Sequence, residues 1–294
     1  MDKGKFIRRL AAGEVLVSDG ATGTNLQQLG LPVGAAAEVW VLENPAAIQN
    51  LNKAFIDAGS DMILTCTFGA TRLRLAASSL EHAFEEINRK AVEITRQAVG
   101  SQPVLMAGSI GPTGHLLAPL GTVSEAEAQA DFEAQVRILQ DGGVDLIVIE
   151  TQFDINEAAA AIRGVRTAAP DLPLVCSFSY DRGTRTMMGV KPQDMAAAVG
   201  ALEVDVLGVN CGRSLMENLE VLQELRKATD KPLWFKPNAG MPEMDADGKP
   251  TYAITPEAMG ALVPDWVEAG AQIVGGCCGT SPEHLAEIAK MVPK

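Results

Sequence analysis

Short apolar runs rich in β-branched residues recur eight times along the chain, and segments with helical periodicity separate them. They read VLVSDG (15–20), DMILTCTF (61–68), VLMAGSI (104–110), DLIVIET (145–151), PLVCSFSY (173–180), VDVLGVNC (204–211), PLWFKPN (232–238) and AQIVGGCC (271–278). Runs that are apolar nearly throughout suit strands buried on both faces, as in a parallel sheet; a sheet with one wet face would alternate. Between the runs, Asn44-Pro45 supplies an N-cap and a proline at the first helical position. Ile48, Leu51 and Phe55 then repeat on one face until Gly59 ends the segment. Ser281-Pro282-Glu283 opens a last helix in which Leu285, Ile288, Ala289 and Val292 share a side. Eight such alternations in 294 residues predict a (β/α)8 TIM barrel, one domain over 1–294. A doubly wound open sheet is the competing architecture, but no G-x-G-x-x-G turn follows the first run.

The runs end in Asp19-Gly20, Thr67-Phe68, Gly111-Pro112, Glu150-Thr151, Ser179-Tyr180, Asn210-Cys211, Pro237-Asn238 and Cys277-Cys278. In a barrel these ends surround the C-terminal mouth, where active sites of this fold are built. Cys211 closes the sixth run and the Cys277-Cys278 pair closes the eighth. Strands of the same parity share interior layers, so these cysteines can meet. Successive residues of a regular strand face opposite ways, so both members of the pair reach one ion only if the strand is irregular there. Gly275, Gly276 and Gly279 allow that irregularity.

Three thiolates would leave one tetrahedral position of Zn2+ open, the arrangement of a catalytic rather than a structural site. The same spacing suits a vicinal disulfide, a redox pair or inert buried thiols, and the residues alone do not choose among these. His82, His115 and His284 show no metal spacing. His82 and His284 fall in helical segments and are expected at the surface; His115 sits in the loop after the third run. Cys176, inside the fifth run, reads as core, and Cys66 can line a cavity.

With 24 basic and 37 acidic side chains the net charge is −13, which disfavours nucleic acid and anionic lipid as partners. No apolar run approaches the ~20 residues of a membrane span. Glu14 interrupts the N-terminal apolar stretch, so no secretory signal is read. Five cysteines, an odd number, point to a reducing, cytoplasmic setting. A monomer or small homo-oligomer is expected.

The segments DGATGTNLQ (19–27), ILTCTFGATRLRL (63–75), GPTG (111–114), VNCG (209–212), PNAG (237–240) and GGCCGT (275–280) resemble the homocysteine S-methyltransferase family. The likeness is closest to the homocysteine-binding module of cobalamin-dependent methionine synthases and runs from about residue 13 to about residue 290. GGCCGT with an upstream N-C-G is specific in combination; DGATGT alone is weak. The resemblance implies a barrel enzyme that methylates the thiol of homocysteine to give methionine. Zn2+ would be held by Cys211, Cys277 and Cys278, with Glu150 beside them in the catalytic set.

Carried over by position, Asp19, Gly20, Glu150 and Asn238 would surround the amino-acid end of the substrate, with Thr67 and Asn210 as nearby polar support. Glu150 and Asp19 would accept its ammonium, and backbone N–H groups around Gly20–Gly23 its carboxylate. Cys66 departs from the family, which usually has Asn there.

Since the sequence ends at Lys294, the methyl donor is expected from outside: a methylcobalamin-type corrinoid on a separate protein. A small cationic donor, betaine or S-methylmethionine, would ask for an aromatic cage. The chain has 3 Trp, 2 Tyr and 8 Phe, of which Phe68, Phe153 and Tyr180 fall near the mouth. Two further readings are another small thiol or selenol acceptor, such as selenohomocysteine, and a non-catalytic module that binds thiol or zinc.

Overall fold

The computed structural model describes residues 4–245 and 250–293. The first seven barrel strands are β1 (Leu16–Val17), β2 (Met62–Leu64), β3 (Leu105–Ile110), β4 (Leu146–Gln152), β5 (Leu174–Phe178), β6 (Val206–Cys211) and β7 (Leu233–Pro237). A short antiparallel hairpin, β8 (Pro242–Met244) with β9 (Pro250–Tyr252), follows, and β10 (Ala271–Val274) completes the set. The parallel sheet runs β1-β10-β7-β6-β5-β4-β3-β2, with helices between successive strands. Each of the eight apolar runs coincides with one of its strands, β4 reaching one residue further, to Gln152.

One backbone bond and two carboxylates carry the seam between β1 and β2. The Asp61 amide donates to the Val17 carbonyl (2.7 Å), and the Asp61 carboxylate accepts from the Val17 amide (2.9 Å). Asp19 accepts from the Leu64 amide at 2.8 Å. These bonds satisfy strand-edge groups that would otherwise be left unpaired inside the fold, and they bring the sheet round into a nearly closed (β/α)8 barrel.

The barrel interior is apolar at its base. Leu105 and Ala107 of β3, Leu146 and Val148 of β4, Val206 of β6 and Trp234 of β7 belong to one buried cluster. Phe6 and Leu10 of the helix Gly4–Ala11 join it and close the N-terminal end. Gly208 is needed at this level, because a Cβ there would lie 2.7 Å from that of Trp234.

Alternation along the strands fixes the next inward layer toward the C-terminal mouth: Ser109, Glu150, Ser177, Asn210 and Lys236. All five are buried. The interior thus changes from wholly apolar to wholly polar within one two-residue step, and that step forms the floor of the site.

Two expectations change. His284 is buried, not a surface residue: its Nδ1 accepts from the Ser281 amide at 3.2 Å, and its Nε2 faces the Ile254 carbonyl at 2.9 Å. It fastens the start of the helix Pro282–Met291. Tyr180 is also fully buried, within the core between strands and helices.

Candidate active site

A cavity of about 630 Å3 opens at the C-terminal mouth. Cys211, Cys277, Cys278, Glu150 and Lys236 line it, together with Glu38, Phe68 and Arg74. The three cysteine sulfurs lie within 4.8 Å of one another, and Sγ of Cys211 and Cys277 are 2.9 Å apart.

Local backbone geometry explains how they meet. β10 ends at Val274, so Cys277 and Cys278 lie in the turn beyond the strand, where alternation no longer holds. The Cys277 amide donates to the Pro237 carbonyl (2.9 Å), and Gly279 turns the chain with φ of +83°. Gly275 serves close packing: a Cβ there would lie 2.9 Å from the Asp19 carbonyl and 3.2 Å from Cγ of Lys236. Cys211 itself has φ of +58°, a costly conformation for a residue with a side chain. Asn218 holds that turn by donating to the Cys211 carbonyl at 2.5 Å.

Two asparagines tie the turns together. Asn238 donates to the Gly212 carbonyl (2.7 Å) and accepts from the Cys278 amide (2.9 Å), so it bridges both cysteine-bearing turns. Asn210 accepts from the Thr151 amide (2.9 Å) and from the Ser177 hydroxyl, while its Nδ2 lies 3.5 Å from Cys211 Sγ. Thr67 donates to the Ser109 carbonyl at 2.7 Å. Thr67, Asn210 and Asn238, expected around the substrate, therefore stand behind the cavity wall with their polar atoms engaged; Thr65 lines the cavity on the Thr67 side.

Glu150 sits at an irregularity, since the β4–β5 register shifts between Ile149 and Gln152 and Thr151 has φ of +61°. Such bulges re-aim side chains beside functional sites. Glu150 accepts from the Ser109 hydroxyl at 2.6 Å. Burial, with the negative groups Cys277 and Asp19 nearby, pushes its carboxyl up to about 7 against the pull of Lys236 and Ser109.

Asp19, expected to accept the substrate ammonium, has both carboxylate oxygens engaged within the protein. Lys236 donates to its Oδ1 at 2.6 Å, and the Leu64 amide occupies its Oδ2. Burial alone would lower the Lys236 ammonium, but Asp19 and Glu150 outweigh it and hold the pKa above its ordinary value. Gly20 lines the cavity and lacks room for a side chain, since a Cβ would lie 2.7 Å from the Phe55 ring. Among the backbone N–H groups expected to take a carboxylate, that of Ala21 is bonded to Thr280.

The thiols fit a soft divalent cation. Tetrahedral Zn–S bonds of ~2.3 Å place sulfurs about 3.8 Å apart, below the 4.8 Å bound on this trio, and the 2.9 Å Cys211–Cys277 pair would open to admit the ion. Among the described residues no fourth His, Cys, Asp or Glu joins the cluster. All three cysteines face the cavity, so a fourth coordination position would open into it. Hydrogen bonds from Cys211 and Cys277 pull Cys278 down to about 4. The contact with Cys211 lowers Cys277, but donation to Cys278, burial and the adjacent thiolate raise it to about 12. Cys211 is raised by donating to both partners. The trio thus shares its protons unevenly, with Cys278 favoured as the thiolate, and a bound cation would favour ionisation of the other two.

The sequence-level reading missed Lys236, Ser109, Thr151 and Asn218. Lys236 left a signal, a charge inside the apolar run PLWFKPN; Ser109 and Thr151 lie at the mouth ends of strands and Asn218 in the first turn of the helix Leu215–Ala228, where polar residues are common. Of the aromatics expected near the mouth, Phe68 lines the cavity, whereas Phe153 and Tyr180 do not.

The family model for homocysteine S-methyltransferase matches residues 16–292. The chain is 28% identical over 299 aligned residues to the methionine synthase of Mycobacterium leprae (strain TN), covering 96% of this chain and 25% of that protein. It is 29% identical to the methionine synthase of Mycobacterium tuberculosis (strain ATCC 25618 / H37Rv), covering 95% and 24% respectively. The chain thus spans about a quarter of the length of these relatives. Among solved structures, the metallated homocysteine methyltransferase MmuM of Escherichia coli superposes with a TM-score of 0.81 at 28% identity, over 97% of this chain and 99% of that one. With the match extending across nearly every strand and helix of the barrel, the chain belongs to the homocysteine S-methyltransferase family.

Proposed function

We propose that this barrel catalyses zinc-dependent methyl transfer to the thiol of homocysteine, giving methionine. The observation that carries the reading is the cluster of three cysteine sulfurs facing a cavity, with a buried carboxylate beside it. Cys211, Cys277 and Cys278 would hold the ion, and Asn210 and Asn238 hold the cysteines. Bound Zn2+ would supply the Lewis acidity that makes a thiol anionic at neutral pH. Glu150 receives the substrate ammonium, and the buried floor keeps water away from the reacting sulfur. The five cysteines are all unpaired, which supports a reducing, cytoplasmic setting. Among the described residues no helix is long and apolar enough to cross a membrane.

For the donor, we favour a methyl-corrinoid carried by a separate protein. Exposed apolar side chains gather on the loops around the mouth: Leu116 and Leu120 after β3, Met187 after β5, Met241 and Met244 after β7. Flexible methionines suit a surface that receives a protein partner. A small cationic donor such as S-methylmethionine or betaine is the second reading, favoured by Glu38. Its buried carboxylate lines the cavity and accepts from the Gly69 amide at 2.6 Å. A monomer or small homo-oligomer accommodates either donor.

Metal analysis of wild type and Cys211→Ser, followed by homocysteine methylation with a donor panel, tests the whole reading. Stoichiometric zinc lost in Cys211→Ser, with turnover from a methyl-corrinoid protein, is expected. Unchanged zinc content in the variant sinks the ligand assignment. Efficient turnover from S-methylmethionine or betaine alone moves the donor to the small cation. Binding of zinc and homocysteine without turnover from any donor makes the chain a binding module.

A further inference from the structure

Lys236 has no part in the reaction as described so far, yet it is built into the site with care. It follows Trp234 on the inward face of β7, one layer nearer the mouth, where every packed neighbour below is apolar. Its stem passes close to Gly275, where a Cβ would lie 3.2 Å from Cγ of Lys236 and 2.9 Å from the Asp19 carbonyl. The ammonium is 5.4 Å from the Trp234 ring centroid, within cation–π range. Lys236 is 3% exposed and lines the cavity. An ammonium has three donor positions. Asp19 takes one at 2.6 Å, and no second hydrogen-bond acceptor lies on Nζ among the described residues. A buried cation with donors directed into a cavity marks the place of an anionic group.

The neighbours specify which anion. Asp19 balances the charge of Lys236, and the Glu150 carboxylate stands close enough to raise the Lys236 pKa. Cation and free carboxylate therefore share one wall of the cavity, beside the three sulfurs. An α-amino acid presents the complementary pair, an ammonium and a carboxylate on one carbon. We infer that Lys236 is the carboxylate-binding residue of the acceptor site, paired with Glu150 for the ammonium. Asp19 is then a positioning residue: it holds Lys236 and does not touch the substrate. This inference rests on homocysteine being the acceptor, and it transfers to a side chain the role expected of backbone N–H groups near Gly20.

Calorimetric titration of the zinc-loaded protein with three thiols tests the assignment: L-homocysteine, 4-mercaptobutyrate, which lacks the amine, and 3-aminopropane-1-thiol, which lacks the carboxylate. A hydrogen bond to a charged group sets the scale, so Lys236→Met should weaken homocysteine and 4-mercaptobutyrate on the order of 10- to 100-fold. Binding of 3-aminopropane-1-thiol should stay within about threefold, the ordinary scatter of context effects on such contacts. Lys236→Met strands the Asp19 charge, so the double variant Asp19→Asn/Lys236→Met, which removes both charges, must show the same selectivity. Equal weakening of all three thiols, or unchanged homocysteine affinity in both variants, overturns the inference. If wild type binds none of the three, the homocysteine reading itself fails and the inference falls with it.

Discussion

Replacing Glu150 with Gln tests the electrostatics of the site most directly. The carboxyl is buried, and its pKa stands at about 7 against an ordinary 4.5, first because of burial and then because of the nearby negative groups. Holding it ionised in the folded state at pH 8 therefore costs about 3 kcal/mol relative to the unfolded chain. The sign follows from proton counts. Between about pH 4.5 and pH 7 the folded state keeps a proton that the unfolded chain has lost, so stability falls as pH rises through that window. Gln cannot titrate, and the buried layer keeps Lys236 paired with Asp19 when Glu150 is neutral. Between pH 5 and pH 8, urea unfolding should show metal-free wild type losing up to ~3 kcal/mol relative to Glu150→Gln, because the opposite contribution of the Cys278 thiolate is common to both proteins and cancels in the difference. The variant should also bind homocysteine more weakly, because the ammonium loses its carboxylate. Identical pH dependence of stability in the two proteins would refute the buried, neutral-leaning carboxyl.

Asn238→Ala leaves the Gly212 carbonyl and the Cys278 amide without their bridge, and zinc affinity measured against a competing chelator should fall on the order of 10- to 100-fold. Phe6→Ala opens the closed base of the barrel; urea denaturation should record a loss of about 3–5 kcal/mol, with zinc content unchanged. Met244→Glu puts a charge on the exposed rim. Turnover with a methyl-corrinoid protein should drop several-fold while metal binding is retained, and an unchanged rate would remove this loop from the docking surface.

How much of this was legible beforehand depends on whether a residue's role is local or relational. The eight barrel strands showed in the runs because strands buried on both faces have no reason to alternate. Several runs extend beyond their strands at the mouth, as in DMILTCTF against Met62–Leu64, because the chain leaves the ladder there to form the site. The cysteine trio could be suspected from strand parity, but its geometry comes from a turn and a left-handed Cys211, which spacing does not encode. Asp19 is the instructive case. Read locally, it is an available carboxylate at a strand end. Its partner within the protein lies 217 residues away on β7, a pairing that no local reading of the strand end reveals. The hairpin β8–β9 was not anticipated either. It brings Tyr252 against Gly279, where a Cβ would lie 2.2 Å from the ring.

The charge balance of the site leads to a prediction about metal uptake itself. Five acidic groups (three thiols, Glu150 and Asp19) converge on one fixed cation, Lys236. Without metal the protein limits the negative charge by keeping protons: Cys211 and Cys277 stay thiols, and Cys278 alone ionises readily, at about 4. A divalent cation needs three thiolates, so its uptake near neutral pH should release about two protons, the difference between three ligands and one existing thiolate. Glu150 responds to the same charge, since a nearby cation favours its ionised form; near pH 7 its release should add a fraction of a proton. Zinc titrations in buffers of different ionisation enthalpy count these protons directly, and apparent affinity should rise steeply between pH 6 and pH 8. Release of three or more protons would mean that the metal-free cluster holds no thiolate. Release of none would mean that the cysteines do not bind the ion as a trio, and the thiol-activating reading would lose its foundation.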